Sequence, residues 1–226
     1  MTWRSLRATN QNRQPSRWES KLVVACETAT LLIRSTRTIV QCPPQRFGRV
    51  SYIGFTRFAS QNGNPELVPQ SYPLEHYEYW RMQVPEMPAT LGAFGENLTT
   101  RGVLEKHLHI GDQVRVGSAL LRVSQPRMPC YKLQVRFDRE DMTRLFALSR
   151  RSGFYFSVIE EGEVKAGDAI EVVERDKHRV SIADVNGLYF DRPIDRELVK
   201  RALQVPGLTA ESRSMVLSRL GQIDSN

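Results

Sequence analysis

Apolar and polar residues alternate in several short segments of the chain, and this period of two predicts β-strands. Two strands flank the turn Gly117-Ser118, a third covers Phe154–Ile159, and the last covers Ala169–Val173. A glycine followed by an aspartate precedes two of these strands, at Gly111-Asp112 and at Gly167-Asp168. We interpret Gly111-Asp112 as an ordinary tight turn rather than a ligand site. Short strands separated by glycine turns indicate a β-barrel with a few helices.

Apolar residues with helical spacing predict two helices within this region. The first runs from about Leu74 to Met82, directly after Pro73. The second covers Arg139–Ser149 and has four apolar residues on one side, namely Met142, Leu145, Phe146 and Leu148.

Three further helices are predicted near the end of the chain, after a charged linker at residues 174–180. They cover residues 181–189, Ile194–Leu203 and Thr209–Leu220. Ser181 and Asp184 have the spacing of a capping box at the start of the first of them. The fold class is therefore α+β and mainly β, a barrel that carries a small C-terminal three-helix bundle.

The net charge of +7 comes from the first 70 residues. That stretch holds ten basic residues, nine of them arginine, and three acidic ones, while the rest of the chain holds 22 of each. A neutral main body and helices of mixed charge argue against nucleic-acid binding. Residues 1–21 are polar and rich in arginine, so we expect them to be disordered or weakly structured. Their poor apolar face argues against an organelle presequence.

Cysteine usage and hydropathy predict a cytoplasmic protein without a membrane segment. The three cysteines, Cys26, Cys42 and Cys130, form neither a disulfide framework nor a zinc-binding pattern, which fits a reducing compartment. No apolar run approaches the roughly 20 residues that a membrane helix needs. The four histidines form no metal-binding signature.

The segment around Cys130 has the strongest chemical signal. An apolar run, Ala119–Val123, predicts a strand, and Pro126 and Pro129 then make a stiff turn without helix. Arg127 and Lys132 lie close to Cys130 in sequence, and nearby cations favour the thiolate, which ligates soft metals and attacks electrophiles. A buried structural cysteine is the alternative interpretation.

Several motifs in order resemble a MOSC domain, named for the C-terminal region of molybdenum cofactor sulfurases. They span residues 71–173 and comprise Tyr72-Pro73-x-Glu75-His76-Tyr77, Phe94-Gly95-Glu96-Asn97-Leu98-Thr99, Ile110-Gly111-Asp112, Gln125-Pro126-Arg127-x-Pro129-Cys130-Tyr131-Lys132-Leu133 and Ser152-Gly153-Phe154-Tyr155. Residues 180–220, with Ala183-Asp184-Val185-Asn186 and Asp191-Arg192-Pro193, resemble the three-helix tail of the family branch that includes bacterial N-hydroxylaminopurine reductase.

The resemblance implies a barrel that binds the molybdenum cofactor (molybdopterin), with Cys130 as the metal ligand and the catalytic residue. On this interpretation Arg127 and Lys132 give charge-assisted hydrogen bonds to the pterin phosphate.

The same resemblance implies four further cofactor-binding residues. Asn97 and Thr99 would bind pterin or phosphate oxygens, and a turn or cap within the chain is an equal alternative for both. Gly95 and Gly153 would let the backbone approach the cofactor closely.

The chain departs from the family pattern before residue 71. Where the family has a His-Gly-Gly-Pro-like loop followed by a lysine, this chain has Asn62-Gly63-Asn64-Pro65 followed by Glu66 and Leu67. The expected domains are an atypical basic segment at 1–47, disordered or mis-framed, a MOSC barrel at 48–175 and a three-helix domain at 179–222. A missing first strand would leave a barrel edge unpaired, which predicts aggregation.

The leading functional hypothesis is a molybdenum-dependent oxidoreductase that reduces N-hydroxylated substrates such as hydroxylaminopurines or amidoximes. Because the chain holds no flavin or iron–sulfur motif, a partner reductase of one of these kinds would supply the electrons. The three-helix domain would dock that partner or only stabilise the barrel. The alternative is a non-redox carrier, with Cys130 holding sulfur as a persulfide or the barrel delivering cofactor to other enzymes.

Overall fold

The computed structural model describes residues 30–33, 45–53 and 69–224. The expectations for residues 1–21 and for the loop Asn62–Leu67 lie outside this part of the chain. Among the described residues, no helix is long and apolar enough to cross a membrane.

Nine strands and six helices make up the described part of the chain. The strands are β1 Thr30–Ile33, β2 Gln45–Ile53, β3 Gln70–Pro73, β4 Leu98–Arg101, β5 Gln113–Val116, β6 Ala119–Pro126, β7 Phe154–Glu160, β8 Gly162–Lys165 and β9 Ala169–Glu174. The helices are α1 Glu75–Gln83, α2 Tyr131–Phe137, α3 Met142–Ser149, α4 Ile182–Phe190, α5 Arg196–Leu203 and α6 Ala210–Asp224.

Seven strands close into a barrel in the order β2-β4-β3-β7-β6-β5-β9. The β3–β4 pair is parallel, and the other neighbouring pairs around the barrel are antiparallel. The predicted unpaired edge is wrong, because β2 pairs with β4 on one side and with β9 on the other. Outside the barrel, β8 pairs with β1.

The barrel and the three C-terminal helices share one hydrophobic core. Val114, Val123 and Phe156 from the strands belong to the same buried cluster as Val185 of α4 and Val216 of α6. The predicted capping box is present, since Ser181 Oγ accepts from Asp184 N and the Asp184 carboxylate accepts from Ser181 N. The fold class predicted from sequence is confirmed, and the three C-terminal helices pack against the barrel through this shared core.

A second buried cluster is aromatic and lies under α1 and α3. Tyr72, Trp80, Phe94 and Phe146 are fully buried in it, and the Tyr72 and Phe94 rings stack with centroids 4.3 Å apart. Trp80 Nε1 donates to the Tyr72 hydroxyl (2.6 Å), so the polar atoms of this cluster are paired as burial requires.

The region between β6 and β7 differs from the prediction. The helix predicted over Arg139–Ser149 is present as α3, which begins at Met142, and an unpredicted helix, α2, precedes it. Asp138 adopts a left-handed conformation (φ 48°) and ends α2. Leu148 is 61% exposed, so it does not lie on the apolar side of α3 as predicted. Strand β8 was also not predicted, since four residues with one buried side chain carry almost no periodic signal.

Asp112 links the barrel to the segment that leads into α4. Its buried carboxylate accepts from Arg175 Nη1 (2.7 Å), from His109 N (2.9 Å) and from Asp176 N (2.9 Å). Burial alone would raise the pKa of Asp112. The hydrogen bonds from the side chain and backbone of His109 and from Asp176, together with Arg175, outweigh burial and hold the pKa below its usual value. The Gly111-Asp112 turn is therefore a structural junction and more than an ordinary hairpin turn.

Replacing Asp112 by Asn tests this junction. We expect a loss of about 2 kcal/mol in the free energy of unfolding at pH 7, less than for a fully buried pair because Arg175 is partly exposed. Since the pKa of Asp112 is lowered in the folded state, its stabilisation is present above the ordinary carboxyl pKa and is lost as the pH falls through the lowered value. Urea unfolding of both proteins at pH 7 and pH 3 should show the difference shrink in acid. Asp138→Asn, an exposed change, is the control, and an equal loss there would contradict the assignment.

Candidate functional site

A cavity of about 630 Å³ lies on the outer face of the barrel, beside the loop that carries Cys130. Along β7 the buried Phe154 and Phe156 point into the core, and Tyr155 between them points the opposite way and lines the cavity. The end of β6, helix α2 and the loop before β4 form the other walls. The lining residues are Gln70, Phe94, Gly95, Arg127, Met128, Cys130, Tyr131, Lys132, Leu133, Val135, Arg136 and Tyr155.

Cys130 is a free, half-buried thiol at the position directly before α2. Its carbonyl accepts from Leu133 N (3.0 Å) and from Thr143 Oγ1 (3.4 Å), which fixes the residue between α2 and α3. Its side chain makes no capping hydrogen bond to the helix. The proline-bracketed loop predicted from sequence is present, and it holds the thiol at the cavity wall.

Arg127 is only 6% exposed, and its guanidinium is held in place from two sides. With the Gln70 amide assigned so that its oxygen faces Arg127, that oxygen accepts from Nε (3.1 Å) and Nη1 (2.6 Å). The guanidinium also lies 5.5 Å from the centroid of the Phe146 ring. These contacts fix the Arg127 guanidinium in the cavity wall.

Helix α2 adds two cations, Lys132 in its first turn and Arg136 in its last. Lys132 is exposed at the cavity, while Arg136 donates from Nη2 to Gly92 O (3.0 Å) and from Nε to Ala93 O. With Arg127 they give the lining three cations, and no Asp or Glu is among the lining residues. A cavity with this balance of charge attracts anions and suits phosphate.

The loop before β4 is organised by Glu96, which sequence reasoning did not single out. Its carboxylate is 2% exposed and accepts from Gly92 N (3.1 Å), Phe94 N (3.1 Å), Thr99 Oγ1 (2.9 Å) and the Tyr77 hydroxyl. A buried charge with four donors is satisfied and rigid. Glu96 thus fixes the loop whose residues Phe94 and Gly95 line the cavity.

Gly95 and Gly153 both have positive φ, but their surroundings differ. Gly95 (φ +80°) lines the cavity, and a Cβ added there would meet nothing within 4 Å. Gly153 (φ +66°) lies behind the wall, and a Cβ there would come within 2.5 Å of Ser71 O. Close approach to β3 therefore requires glycine at 153, whereas Gly95 keeps open space beside the cavity.

The structure brings four of the seven predicted site residues together at the cavity, namely Gly95, Arg127, Cys130 and Lys132. The other three predicted residues, Gly153, Asn97 and Thr99, lie in the wall behind the cavity lining. Asn97 Oδ1 accepts from Gln70 N (2.8 Å), and Thr99 donates to Glu96. Asn97 and Thr99 thus hold residues that line the cavity or organise its loop.

Gln70, Arg136 and Tyr155 line the cavity and were not singled out from the sequence. Arg136 lies four residues after Lys132 on the same helix, and Tyr155 is the polar residue between two buried phenylalanines. Such spacing could have indicated these two once α2 and β7 were placed. The position of Gln70 depends on strand pairing between distant segments, which leaves no local signal.

Replacing Gly95 and Gly153 by alanine should lower the free energy of unfolding by different amounts. Gly95→Ala should lower the free energy of unfolding by about 1 kcal/mol, the cost of the left-handed conformation alone. Gly153→Ala adds a clash with the backbone of β3 and should lose about 3 kcal/mol. Urea unfolding measures both values, and equal losses would contradict the difference in their surroundings.

Comparison with known proteins identifies the family. Residues 63–171 match the model of the MOSC domain, and residues 180–222 match the model of the YiiM-like, 3-alpha helix domain. The chain is 38% identical over 167 residues to Protein YiiM of Escherichia coli, a match that covers 72% of this chain and 74% of that protein. The chain belongs to the MOSC-domain family, and the resemblance found in the sequence is confirmed.

Within that family the chain is homologous to YiiM. The uncharacterized protein YflK of Bacillus subtilis is 33% identical over 70% of this chain and 71% of its own length. The crystal structure of YiiM from Escherichia coli superposes with a TM-score of 0.64 at 32% identity, over 80% of this chain and 94% of that one. YiiM from Geobacillus stearothermophilus gives a TM-score of 0.64 at 28% identity, over 79% of this chain and all of that one.

Proposed function

We propose that this protein is a molybdenum cofactor-dependent reductase of N-hydroxylated compounds such as hydroxylaminopurines or amidoximes. One observation carries the proposal: a single cavity combines a half-buried thiol with three cations and no carboxylate. A soft metal bound to an anionic organic group needs both of these features, a thiolate for the metal and cations for the phosphate.

The residues at the cavity fit such a group. Arg127 lines the cavity, and the Gln70 oxygen and the Phe146 ring hold its guanidinium there as a fixed cation. Gly95 leaves space for close approach of a ligand to the backbone. The cavity volume of about 630 Å³ lies in the range of cofactor sites. Cys130 would hold the metal, and Arg127 and Lys132 would hold the phosphate.

The proposed reaction converts R–NHOH, two electrons and two protons into R–NH2 and water. The N–O bond breaks, one N–H bond forms, and the oxygen leaves as water. When bound, the cofactor supplies the two-electron chemistry. The chain would fix the position of the metal through Cys130 and neutralise the phosphate through Arg127 and Lys132. The apolar side chains that line the cavity, Phe94 and Met128 among them, would limit access of water to the reacting bond.

A longer relative supports the proposal that this protein catalyses a redox reaction. The chain is 31% identical over 157 residues to a protein of Gibberella moniliformis that carries the name Reductase, and this match covers 68% of the chain but 28% of that protein. In that relative a similar unit is thus combined with a large additional part. We propose that here the electrons come from a separate flavin or iron–sulfur reductase.

The proposal is tested with full-length protein made in a host that synthesises the molybdenum cofactor. With chemically reduced methyl viologen as the electron source, we expect reduction of benzamidoxime or 6-hydroxylaminopurine to the amidine or the amine, measured by chromatography. Cys130→Ala should lower the rate at least 100-fold by removing the metal ligand. Ser157→Ala, a change of similar size outside the cavity lining, should not.

Two results would contradict the proposal. The first is wild-type protein that is folded and contains molybdenum but reduces neither compound. The second is a Cys130→Ala variant as active as the wild type. Extra sulfur mass on Cys130 in an inactive wild-type protein would instead favour the carrier function.

A further inference from the structure

Three polar side chains form a row across the outer face of β3, β7 and β6. The strand register places Tyr155 opposite Gln70 on one side and opposite Gln125 on the other. Directly opposed residues of neighbouring strands point to the same face of a sheet. The row Gln70–Tyr155–Gln125 therefore lies on the side away from the barrel core, and Tyr155 is its central member.

The two outer members of the row are engaged by other side chains. The Gln70 oxygen holds Arg127. The Gln125 oxygen accepts from the hydroxyls of Thr209 and Ser212 (3.1 Å for Ser212), where α6 begins. These contacts fix the row at both ends, one end at the cationic part of the cavity and the other at the three-helix domain.

Tyr155 differs, because its hydroxyl has no hydrogen-bond partner in the described part of the chain. Its backbone is fixed, since its carbonyl accepts from Ser124 Oγ (3.0 Å) in addition to the strand pairing. Its side chain is half-buried and lines the same cavity as Cys130. Because Tyr155 lines the cavity, its hydroxyl can serve a bound ligand as a hydrogen-bond donor.

We propose that the Tyr155 hydroxyl donates a hydrogen bond to the oxygen of the N-hydroxylated substrate and so orients the N–O bond toward the end of the cavity at which Cys130 would hold the metal. This inference rests on the proposed function and names a substrate-positioning residue for it. The three cations suit the anionic end of a ligand, whereas a neutral phenol suits the uncharged oxygen of a hydroxylamine or an amidoxime.

The electrostatic surroundings of Tyr155 are consistent with a donor. Burial raises the pKa of Tyr155, Arg127 opposes this effect, and Cys130 and Glu211 add to it. A pKa above its ordinary value keeps the hydroxyl protonated throughout the neutral range.

The test compares Tyr155→Phe with Tyr79→Phe in full-length, molybdenum-containing protein. Tyr79 is a half-buried tyrosine of α1 outside the cavity lining, so the control also loses one hydroxyl. For Tyr155→Phe we expect kcat/KM for benzamidoxime to fall about tenfold, the effect of one neutral hydrogen bond. Molybdenum content and thermal stability should stay the same, as should the affinity of the metal-free protein for inorganic phosphate. Tyr79→Phe should change none of these quantities.

The alternative outcomes separate this inference from the proposed function. Unchanged kcat/KM in Tyr155→Phe, with an active wild type, would overturn the inference alone. A loss of phosphate affinity or of molybdenum in Tyr155→Phe would overturn it too, since Tyr155 would then belong to the cofactor end of the cavity. A wild type that reduces no N-hydroxylated compound would overturn the proposed function and this inference with it.

Discussion

The candidate site depends on the pairing of β3, β7 and β6. These three strands come from distant parts of the sequence, and their register brings Gln70, Tyr155 and Gln125 into one row on the outer face of the barrel. The same alternation places Phe154 and Phe156 in the core. One strand register therefore determines both the packing of the barrel core and the cavity wall. A shift of β7 by one residue would exchange its two faces, and both the core packing and the cavity wall would be lost.

Two buried carboxylates support this wall from behind. Glu96 gathers four donors and fixes the loop that presents Gly95. Glu105 accepts from Gly153 N (2.8 Å) and from His76 Nε2 (2.8 Å), and the Gly153 carbonyl in turn accepts from Arg127 N (3.2 Å). A buried charge that is fully hydrogen-bonded is rigid, and its loss is costly because the remaining partners stay buried. The cavity thus keeps its shape through residues that never face it.

Much of the fold could be predicted from the sequence, because periodic patterns and turn residues are local. The strand around Phe154, the capping box at Ser181 and the three C-terminal helices are examples. Cys130, Arg127 and Lys132 could be assigned to one site because a single segment carries all three. Helix α2 was missed because it is only seven residues long and follows two prolines. Gln70 and Glu96 could not be found in this way, since their roles depend on contacts between segments that only the folded barrel brings together.

We propose that Cys130 is the residue through which this cavity holds molybdenum, and X-ray absorption at the molybdenum edge tests this with the wild type and Cys130→Ser as full-length proteins. We expect the wild type to have one more sulfur neighbour at the metal than the variant, or the variant to contain no metal. Molybdenum bound to both proteins with the same sulfur neighbours would show that Cys130 is not a ligand.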